Sequence, residues 1–585
     1  MKKITCSALI CLMALLAVSC GKKAEAVPET TKAEAVIAET EVAVPETEAP
    51  ETKAPKTESE TVPETETVPE TEAEPEEEAV TPLHIRLENV SKGKENCYDL
   101  YYRIGLSEED AARYPVLEEA LKDHNRMADA ESEKRIQQLY ENYQEVAEGR
   151  GEEIFTLNAE INTRVVRADS NVVSFFHFNY INLGGTHPDY RYTGDTFDVA
   201  SGKRLLLTDV VTDPEAFFDL VDEKLQMEYA DIYDYMNPFD EYRKNLAYNE
   251  YAFVDWSMDP VGLTVYFNPY ELGPYAMGAQ TVTVCYDEAP ELFYEKFRET
   301  SENYAIPLTG VYPVKADVTG NGKLEDISVS EEPDDPEDEY CWQYDFIVHA
   351  GNRSVQAGGP SYSQNSYLIK ANGQYYLYLF EVSDNDYTIL NRVDLKTMEC
   401  DWEKSIGGSL RGFSGEYIST DDGYVSFSGY YPLTDPDQFF LSENCQILGT
   451  RGATAEFRAD ENGYPERVTP WFNVESTMCL QTKAEVSCQK VDVEGNILEE
   501  TMIPAGTYLA MVRTDGESWA DFQIPEEGLV EPDGSEDFRI FYTEETVPFD
   551  VAKEIYRISC DTSQYPRLVN GIEETELFDG IAYAG

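Results

Sequence analysis

The sharpest chemical pattern of the sequence is a loop-like segment in its second half. It reads Asp317-Val318-Thr319-Gly320-Asn321-Gly322-Lys323-Leu324-Glu325-Asp326, with oxygen-bearing side chains at positions one, three and five and acids at nine and ten. Calcium prefers about six to eight oxygen ligands, and the glycine at position six allows the tight turn that brings them together. We therefore predict a Ca²⁺ site whose side-chain ligands are Asp317, Thr319, Asn321 and Glu325, with the carbonyl of Lys323 as a further ligand.

An alternative interpretation of this segment needs no metal. Position twelve is Ser328 instead of Glu, so the segment is not an EF-hand. It is similar to the shorter D-x-T-G-N-G loops that join strands in secreted β-repeat domains. Two carboxylates among the ligands imply weak affinity, and a turn held by its own Asx side chains would have the same sequence.

Signatures of catalysis are missing from the sequence. It has no G-x-S-x-G, H-E-x-x-H, P-loop or G-x-G-x-x-G motif, and only five histidines. His177 and His187 fall on one predicted strand and turn with Asp189 close behind, which allows a metal or acid–base role. A packed His177 and a turn-stabilising His187 are the alternative. We predict that the protein is not an enzyme and has no catalytic residues.

The first twenty residues have the charge and apolar order of a secretory signal. Met1-Lys2-Lys3 precede an apolar run from Ile4 to Val18, and Ser19-Cys20 follow. Small residues before a cysteine are typical of bacterial lipoproteins, so we predict cleavage at Cys20 and acylation of its thiol. The predicted location is extracytoplasmic, with the lipid anchored in the bacterial cell membrane. An ordinary secretion signal that happens to contain a cysteine is the alternative.

Residues 21–80 have the composition of a solvated tether. They consist mainly of Glu, Thr, Pro, Ala and Val, and Val-Pro-Glu-Thr recurs from Val27, Val44, Val62 and Val68. Proline removes backbone donors and closely spaced glutamates repel one another, so this stretch cannot bury a core. We predict a disordered spacer between the membrane and the folded domains.

The net charge restricts the partners of the chain. With 113 acidic against 45 basic residues, its formal charge is −68. Nucleic acids and anionic lipid headgroups would be repelled, whereas cations and basic proteins would be attracted. The cysteines are spread widely and no C-x-x-C occurs, so neither a zinc ribbon nor a thioredoxin-type site is predicted.

Residues 82–300 carry the patterns of an α+β domain. Pro115 opens a long helical stretch, and Asp213 with Pro214 opens a second helix. Val172–Leu183 alternates as a strand that is buried on one face and partly on the other, and Phe197–Arg204 reads as a hairpin. We predict helices packed on a mostly antiparallel sheet.

Four segments of this domain stand out together: Ser174-Phe175-Phe176, Tyr180 to Pro188, the Phe197-to-Leu207 hairpin, and Phe267 to Gly278. They resemble the RsiV-like extracytoplasmic domain family, which includes the outer part of a lysozyme-sensing anti-sigma factor. The resemblance covers about residues 82–300 and implies a binding or sensing domain, with lysozyme as one implied ligand. The chain departs from the anti-sigma arrangement because it shows no transmembrane helix and no sigma-binding segment.

The second region is predicted to be mostly β. Residues 305–470 contain short strands and turns that suit either a sandwich or a partial propeller. Residues 472–545 are similar to a bacterial SH3-type barrel through Ile503–Tyr508 and Val512–Trp519, which implies a wall-facing module. Trp519 would be either a groove aromatic or a buried one, and residues 546–585 form a C-terminal extension.

Together these patterns predict a lipid-anchored module that binds or senses cell-wall material or a wall-active protein such as lysozyme. One alternative is a structural lipoprotein whose domains serve as assembly contacts. Another is a wall hydrolase or deacetylase with an unfamiliar site. The specific ligand-binding residues are unknown at this level.

Overall fold

The computed structural model describes residues 79–150, 155–338, 341–383, 387–420, 423–474, 476–526, 528–535, 538–543, 547 and 549–583. Ala79–Gly585 is one compact unit. The signal, Cys20 and the tether lie outside the described residues, apart from the last two positions of the tether. None of the described helices combines the length and apolar character needed to cross a membrane.

The first part of the unit mixes strands with helices. Its strands are β1 Ile85–Lys94, β2 Cys97–Leu106, β3 Leu157–Ala168, β4 Val172–Asn182, β5 Asp189–Asp198, β6 Asp255–Met258, β7 Gly262–Phe267, β8 Gln280–Cys285 and β9 Tyr304–Pro307. Its helices are α1 Glu108–Arg113, α2 Pro115–Arg150, α3 Leu207–Val210, α4 Pro214–Glu228, α5 Phe239–Tyr248 and α6 Glu295–Arg298.

The second part is almost entirely strands, so the described chain is mostly β, with several sheets and a few helices. The strands are β10 Val314–Ala316, β11 Glu325–Pro333, β12 Tyr344–Ala350, β13 Arg353–Ser361, β14 Ser363–Ala371, β15 Gln374–Val382, β16 Thr388–Asp394, β17 Glu399–Cys400, β18 Ile406–Gly407, β19 Ser409–Leu410, β20 Gly412–Thr420, β21 Gly423–Tyr430, β22 Phe439–Gln446 and β23 Thr450–Ala459. They continue with β24 Pro465–Arg467, β25 Phe472–Val474, β26 Met478–Thr482, β27 Val486–Val491, β28 Ile497–Ile503, β29 Tyr508–Thr514, β30 Trp519–Gln523, β31 Val530–Ser535, β32 Phe538–Thr543, β33 Ile555–Ser559, β34 Leu568–Val569, β35 Ile572–Glu573 and β36 Phe578–Asp579, and helix α7 is Glu574–Leu577.

The first sheet draws strands from both parts of the chain. Its order is β20-β21-β1-β2-β3-β4-β5, with β2 and β3 parallel and the other neighbours antiparallel. The hairpin of β20 and β21 therefore completes the sheet of the N-terminal domain, although its residues belong to the predicted 305–470 region. This pairing spans more than three hundred residues of sequence, and no local pattern indicates it.

Helix α2 packs on this sheet through an apolar stripe. Leu117 and Leu121 are fully buried, as is Leu139 two-thirds of the way along the helix. Arg135 extends from α2 to the buried Asp99 of β2, with its Nε 2.7 Å from Oδ1. The helix therefore covers the middle of the sheet, and this cover determines the environment of the histidines described below.

A smaller three-stranded sheet, β6-β7-β8, forms the second core of the N-terminal part. Helix α4 begins as predicted: the Asp213 side chain accepts a hydrogen bond from Ala216 N at 3.1 Å, and Pro214 is the first helical residue. Phe218, Val221 and Leu225 of this helix are buried in a core that includes Leu263, Val265 and Phe267 of β7.

The region predicted to be an SH3-type barrel belongs to a larger sheet. Strands β25 to β32 lie within a 14-stranded sheet that also contains β22, β23 and β33. Trp519 is half-buried, and the Arg557 guanidinium carbon lies 3.5 Å from its ring centroid. Trp519 is thus a packing partner of an arginine.

The eight cysteines of the described residues are free thiols. Six of them are buried, and burial raises the pKa of thiols such as that of Cys479 to about 11. Such thiols stay protonated near neutral pH, so they contribute to packing and not to thiolate chemistry.

Candidate functional site

Opposed aromatic side chains follow the outer half of the β4–β5 hairpin. Antiparallel pairing sets Tyr180 opposite Tyr190 and Phe178 opposite Tyr192. The ring centroids of Phe178 lie 6.1 Å from Tyr190 and 5.7 Å from Tyr192, and Tyr190 lies 5.6 Å from Tyr192. Such cross-strand aromatic contacts stabilise a sheet face by roughly 0.5–1.5 kcal/mol each.

The loop between β7 and β8 folds over the tip of this hairpin. Tyr275 donates a hydrogen bond from its hydroxyl to the carbonyl of Pro188 at 2.7 Å. Its ring stacks on His187 at a centroid distance of 3.9 Å and lies 5.8 Å from the ring of Tyr190. Ala279 N in turn donates to the Tyr190 hydroxyl at 3.2 Å. Two segments separated by about eighty residues of sequence thus form one surface.

We call this surface the aromatic platform and define it by Phe178, Tyr180, His187, Tyr190, Tyr270 and Tyr275. Tyr270 is 62% exposed, and the His187 side chain is 40% exposed. The other members are half-buried, so part of each ring faces solvent.

Tyr270 adopts a backbone conformation that an aromatic residue seldom has. Its φ is +76°, in the left-handed region, which costs roughly 1–2 kcal/mol for a residue other than glycine. The surrounding turn holds it there, because Glu271 N donates to Asn268 O and Asn268 N donates to the Glu271 carboxylate, both at 3.0 Å. Strain kept at an exposed aromatic residue is a common feature of functional sites.

An ion network ties the loop to the hairpin below the platform. Arg191 Nη2 lies 2.9 Å from Asp255 Oδ2 and 3.1 Å from Glu271 Oε1. Burial raises the pKa of the Asp255 carboxyl and that of the Glu271 carboxyl above their ordinary values, and the Arg191 charge opposes the rise. The edge of the platform is therefore acidic, with one arginine holding two carboxylates.

His177 lies in a different cluster from His187. It faces α2, where His124 and His177 share the Asp195 carboxylate: His177 Nε2 lies 3.3 Å and His124 Nδ1 3.8 Å from Asp195 Oδ2. Arg204 also pairs with Asp195, and Thr163 Oγ1 lies 2.9 Å from His177 Nδ1. The His177 side chain is 8% exposed, so the predicted alternative of a packed histidine is confirmed.

The electrostatics of this cluster follow from burial and from its shared charge. Burial lowers the pKa of His124, and the neighbouring His177 and Arg204 charges lower it further, while Asp195 opposes them. The pKa of Asp195 is held far below its usual range by His177, Arg204 and His124, although burial acts in the opposite direction. The cluster therefore favours an ionised carboxylate and a neutral His124 inside the fold.

The D-x-T-G-N-G segment is the turn that joins β10 to β11, as the sequence predicts. Asp317 Oδ1 accepts from Asn321 N at 3.0 Å and Oδ2 accepts from Gly322 N at 2.7 Å. Asn321 Oδ1 accepts from Lys323 N at 2.8 Å. These bonds are those of the Asx turn that was the alternative interpretation, and they leave further lone pairs on the same oxygens.

The other two predicted ligands have different surroundings. The Thr319 hydroxyl has no hydrogen-bond partner among the described groups, whereas Glu325 Oε2 is 3.0 Å from Arg353 Nη2. Across the described ranges, no group of three or more His, Cys, Asp or Glu side chains is arranged to hold a metal ion. The predicted Ca²⁺ ligands also include Thr, Asn and carbonyl oxygens, so the Ca²⁺ site stays a prediction.

One polar pair was not predicted from the sequence. Ser330 Oγ of β11 lies 2.7 Å from His349 Nε2 of β12. The described residues give His349 no carboxylate ion-pair partner, so the third group of a Ser–His–acid arrangement is missing from this part of the chain. The pairing follows from the β11–β12 register, which a single sequence does not specify.

Comparison with known proteins finds one family within the chain. Residues 208–287 match the family described as a protein of unknown function, DUF3298. No curated protein gives a significant match.

Two solved structures share this family. A DUF3298 family member from Bacteroides fragilis NCTC 9343 is 15% identical, with 37% of this chain and 95% of that chain covered and a TM-score of 0.28. A DUF3298 family protein from Pseudomonas aeruginosa PAO1 is 14% identical, with 37% and 96% covered and a TM-score of 0.26. The residues that match the family, 208–287, contain α4, α5, the β6-β7-β8 sheet and the platform loop.

Proposed function

We propose that this protein is an extracytoplasmic lipoprotein, anchored through Cys20, that binds cell-wall material or a basic wall-active protein such as lysozyme. The tether of residues 21–80 would hold its folded domains away from the membrane. The similarity of residues 82–300 to RsiV-like domains supports a binding or sensing role, and that of residues 472–545 to SH3-type modules supports a wall-facing one.

The aromatic platform is the observation that carries this proposal. Tyrosine supplies a large apolar contact area and a polar hydroxyl while it loses little conformational entropy, and it is enriched among the residues that dominate binding energy. The Tyr275–Pro188 and Ala279–Tyr190 hydrogen bonds fix the rings before a ligand arrives. A fixed surface loses less entropy on binding than a mobile one. Ring faces of this kind also stack on the apolar faces of sugar rings.

Charge supports a basic partner. The chain carries a formal charge of −68, and Asp255 and Glu271 lie beside the platform. Opposite charge on a partner raises the rate of encounter and orients the approach, more than it adds to final affinity. Lysozyme is a basic protein that acts on the cell wall. It is therefore a candidate for the basic partner, and its substrate is the other proposed ligand.

Direct binding tests this proposal. The mature protein is immobilised, and lysozyme and purified peptidoglycan are each applied at low and physiological salt. We expect binding of at least one of them, weaker at higher salt for lysozyme, and loss of that binding in Tyr270→Ala. Tyr248→Ala is the matched control, because Tyr248 is 88% exposed and lies outside the platform. Absence of binding to both ligands would refute the proposal.

An assembly role is the second candidate, and one specific feature favours it. Tyr235, Tyr248 and Phe253 of the DUF3298 domain are each more than 70% exposed, and exposed aromatic side chains are typical of protein interfaces. This role predicts membrane proteins that co-purify with the wild type and are lost from a Tyr248→Ser/Phe253→Ser double variant. Unchanged co-purification would exclude these side chains as the contact.

A further inference from the structure

A cleft of about 470 Å³ lies between the DUF3298 domain and the β10–β11 turn. Its lining residues are Lys224 of α4, Cys285 of β8, Asp287 and Glu288 of the following turn, Lys315 of β10, and Asp317, Gly322, Lys323 and Leu324 of the β10–β11 turn. The volume is within the range of about 300–1,000 Å³ that small-molecule sites occupy.

Two lysines with little solvent exposure form the inner part of the cleft. The Lys224 side chain is 8% exposed and its Nζ lies 2.8 Å from Glu288 Oε2. The Lys315 side chain is 18% exposed and its Nζ lies 2.7 Å from Asp326 Oδ1. An ammonium group has three donors; within the described residues each of these two lysines has one carboxylate at ion-pair distance, and the Glu228 carboxylate also acts on both of them electrostatically. Both therefore retain donors for an anionic group that enters the cleft.

The ion-pair partners of these lysines are much more exposed than the lysines themselves. Glu288 is 41% and Asp326 is 57% exposed at the side chain, so either carboxylate can turn toward water when a ligand replaces it. Both ammonium charges also act on the buried Cys285 thiol, whose pKa burial raises to about 12. The Cys285 thiol is thus uncharged where it lines the cleft, and the two lysines supply the positive charge there.

The charge of this cleft differs from that of the whole chain. Three of its nine lining residues are lysines and three are acids, whereas the chain has 113 acidic and 45 basic residues. Asp287 and Lys323 are exposed at its entrance, and Leu324 adds an apolar side chain that is 37% exposed. Asp326 and Glu228 add two carboxylates next to these lysines, so the cleft offers both charges and suits a ligand that carries both.

We infer that this cleft binds a small zwitterion, an amino acid or a short peptide with a free ammonium and a free carboxylate. The carboxylate binds Lys224 and Lys315, the ammonium binds Asp287 at the entrance, and the apolar part of the ligand packs on Leu324. Charge-assisted hydrogen bonds of this type are short and roughly twice as strong as neutral ones.

The inference goes beyond the proposed function because the cleft and the aromatic platform share no residue. Ala279, which bonds Tyr190 of the platform, precedes β8, and Cys285 of the cleft ends it. The two ends of this strand are about 17 Å apart at the usual rise per residue. The sites can therefore be tested separately.

Calorimetric titration of the mature protein with D-alanyl-D-alanine tests the inference. We expect binding at millimolar or lower concentration, and about tenfold or greater weakening for the N-acetylated dipeptide and for its C-terminal amide, because each removes one charge. These capped ligands probe the wild-type protein, so the test does not depend on a variant that folds. Undetectable binding of the dipeptide, or equal binding of all three ligands, overturns the inference.

Variants locate the site. Lys224→Met and Lys315→Met are each expected to weaken dipeptide binding by about tenfold or more, with a smaller effect for the capped amide, which has lost the carboxylate. Lys490→Met is the matched control, since Lys490 also pairs with an exposed glutamate, at 2.8 Å from Glu554, but lies in the 14-stranded sheet. Equal binding by Lys315→Met and the control contradicts the inference. Tyr270→Ala should retain dipeptide binding, which separates failure here from failure of the platform.

Discussion

The middle and the tip of the β4–β5 hairpin place the same residue type in opposite environments. In the middle, His177 is 8% exposed and shares the Asp195 carboxylate with His124 of α2. At the tip, His187 is 40% exposed and stacks on Tyr275. Helix α2 packs against the first through His124, whereas the second contacts a side chain of the β7–β8 loop. This difference makes one histidine part of the folding core and leaves the other on a surface that can meet a ligand.

The largest loss of stability should come from a substitution in the middle of the hairpin, where His177 is buried. Asp195→Ala removes the carboxylate that two histidines and Arg204 share, and we expect the free energy of unfolding to fall by about 3 kcal/mol, as for other buried ion pairs that lose one partner. Urea denaturation at pH 7 measures it. Asp189→Ala at the tip is the control, because its side chain is 67% exposed and a loss within about 0.5 kcal/mol is typical of such sites. Equal losses of stability in the two variants would mean that the middle and the tip of the hairpin do not differ as described.

Substitutions at the tip of the hairpin should weaken ligand binding and leave the stability of the fold nearly unchanged. Tyr275→Ala removes both the ring that stacks on His187 and the hydroxyl that bonds Pro188, so we expect wall-ligand or lysozyme affinity to fall about 30-fold, which corresponds to about 2 kcal/mol at a central interface residue. Tyr275→Phe keeps the ring and should lose much less. Surface plasmon resonance with both variants checks this, and unaltered affinity in Tyr275→Ala would remove the platform from the binding site.

The stability that His124 contributes in the middle of the hairpin should depend on pH. The pKa of His124 is lower in the folded state than its ordinary value, so the unfolded chain binds a proton that the folded chain resists. Its contribution to stability is fully present above about 6.5, the pKa of an unperturbed histidine, and is lost as the pH falls below that value through the lower folded pKa. We expect His124→Leu to lose less stability than the wild type between pH 7.5 and pH 5, which lie on either side of the pKa of an unperturbed histidine. A parallel pH dependence of the two proteins would contradict it.

His84 provides a comparison of opposite sign. Asp110 and Asp435 raise its pKa in the folded state, against the effect of burial, so its contribution is fully present below about 6.5 and is lost as the pH rises through the folded value. His84→Gln should therefore lose more stability than the wild type on acidification over the same interval. Thermal melting of the two histidine variants in parallel measures both signs, and shifts of the same sign would reject this assignment.

The smallest effect is expected at the β10–β11 turn. If the predicted Ca²⁺ site forms, millimolar calcium raises the melting temperature of the wild type by a few degrees at most, because two carboxylates give weak affinity. Asp317→Ala should abolish that rise and also lower stability by about 1 kcal/mol without calcium, since its carboxylate accepts two backbone N–H groups. Asp335→Asn serves as an acidic turn control. Calcium-dependent melting that persists in Asp317→Ala would disprove the site.

Local signals were sufficient to predict much of the fold. Pro115 and the Asp213–Pro214 pair mark helix starts because caps and first-turn prolines act within a few residues. The pairing of β1 with β21 was not predicted, since it depends on a register between distant strands that no local pattern encodes. The SH3-type similarity describes strands that the structure joins into a larger sheet.

The same limit applies to the candidate sites. Both segments of the platform were noted in the sequence, but the His187–Tyr275 contact that joins them is a tertiary contact. The signal for the buried cluster was present, because His124 falls on the apolar stripe of α2 and His177 on the strand face opposite to Tyr180. Combining those two faces would have paired His177 with His124 instead of His187. Lys224 and Lys315 of the cleft show no sequence pattern that relates them.

Hydrogen–deuterium exchange of the mature protein, with and without the wall ligand or lysozyme, tests whether the aromatic platform is the binding surface. We expect the bound ligand to slow exchange in residues 187–192 and 268–279, which carry most of the platform, and to leave residues 172–177 of β4 unchanged. Slowed exchange confined to other segments, with both platform segments unaffected, would contradict it.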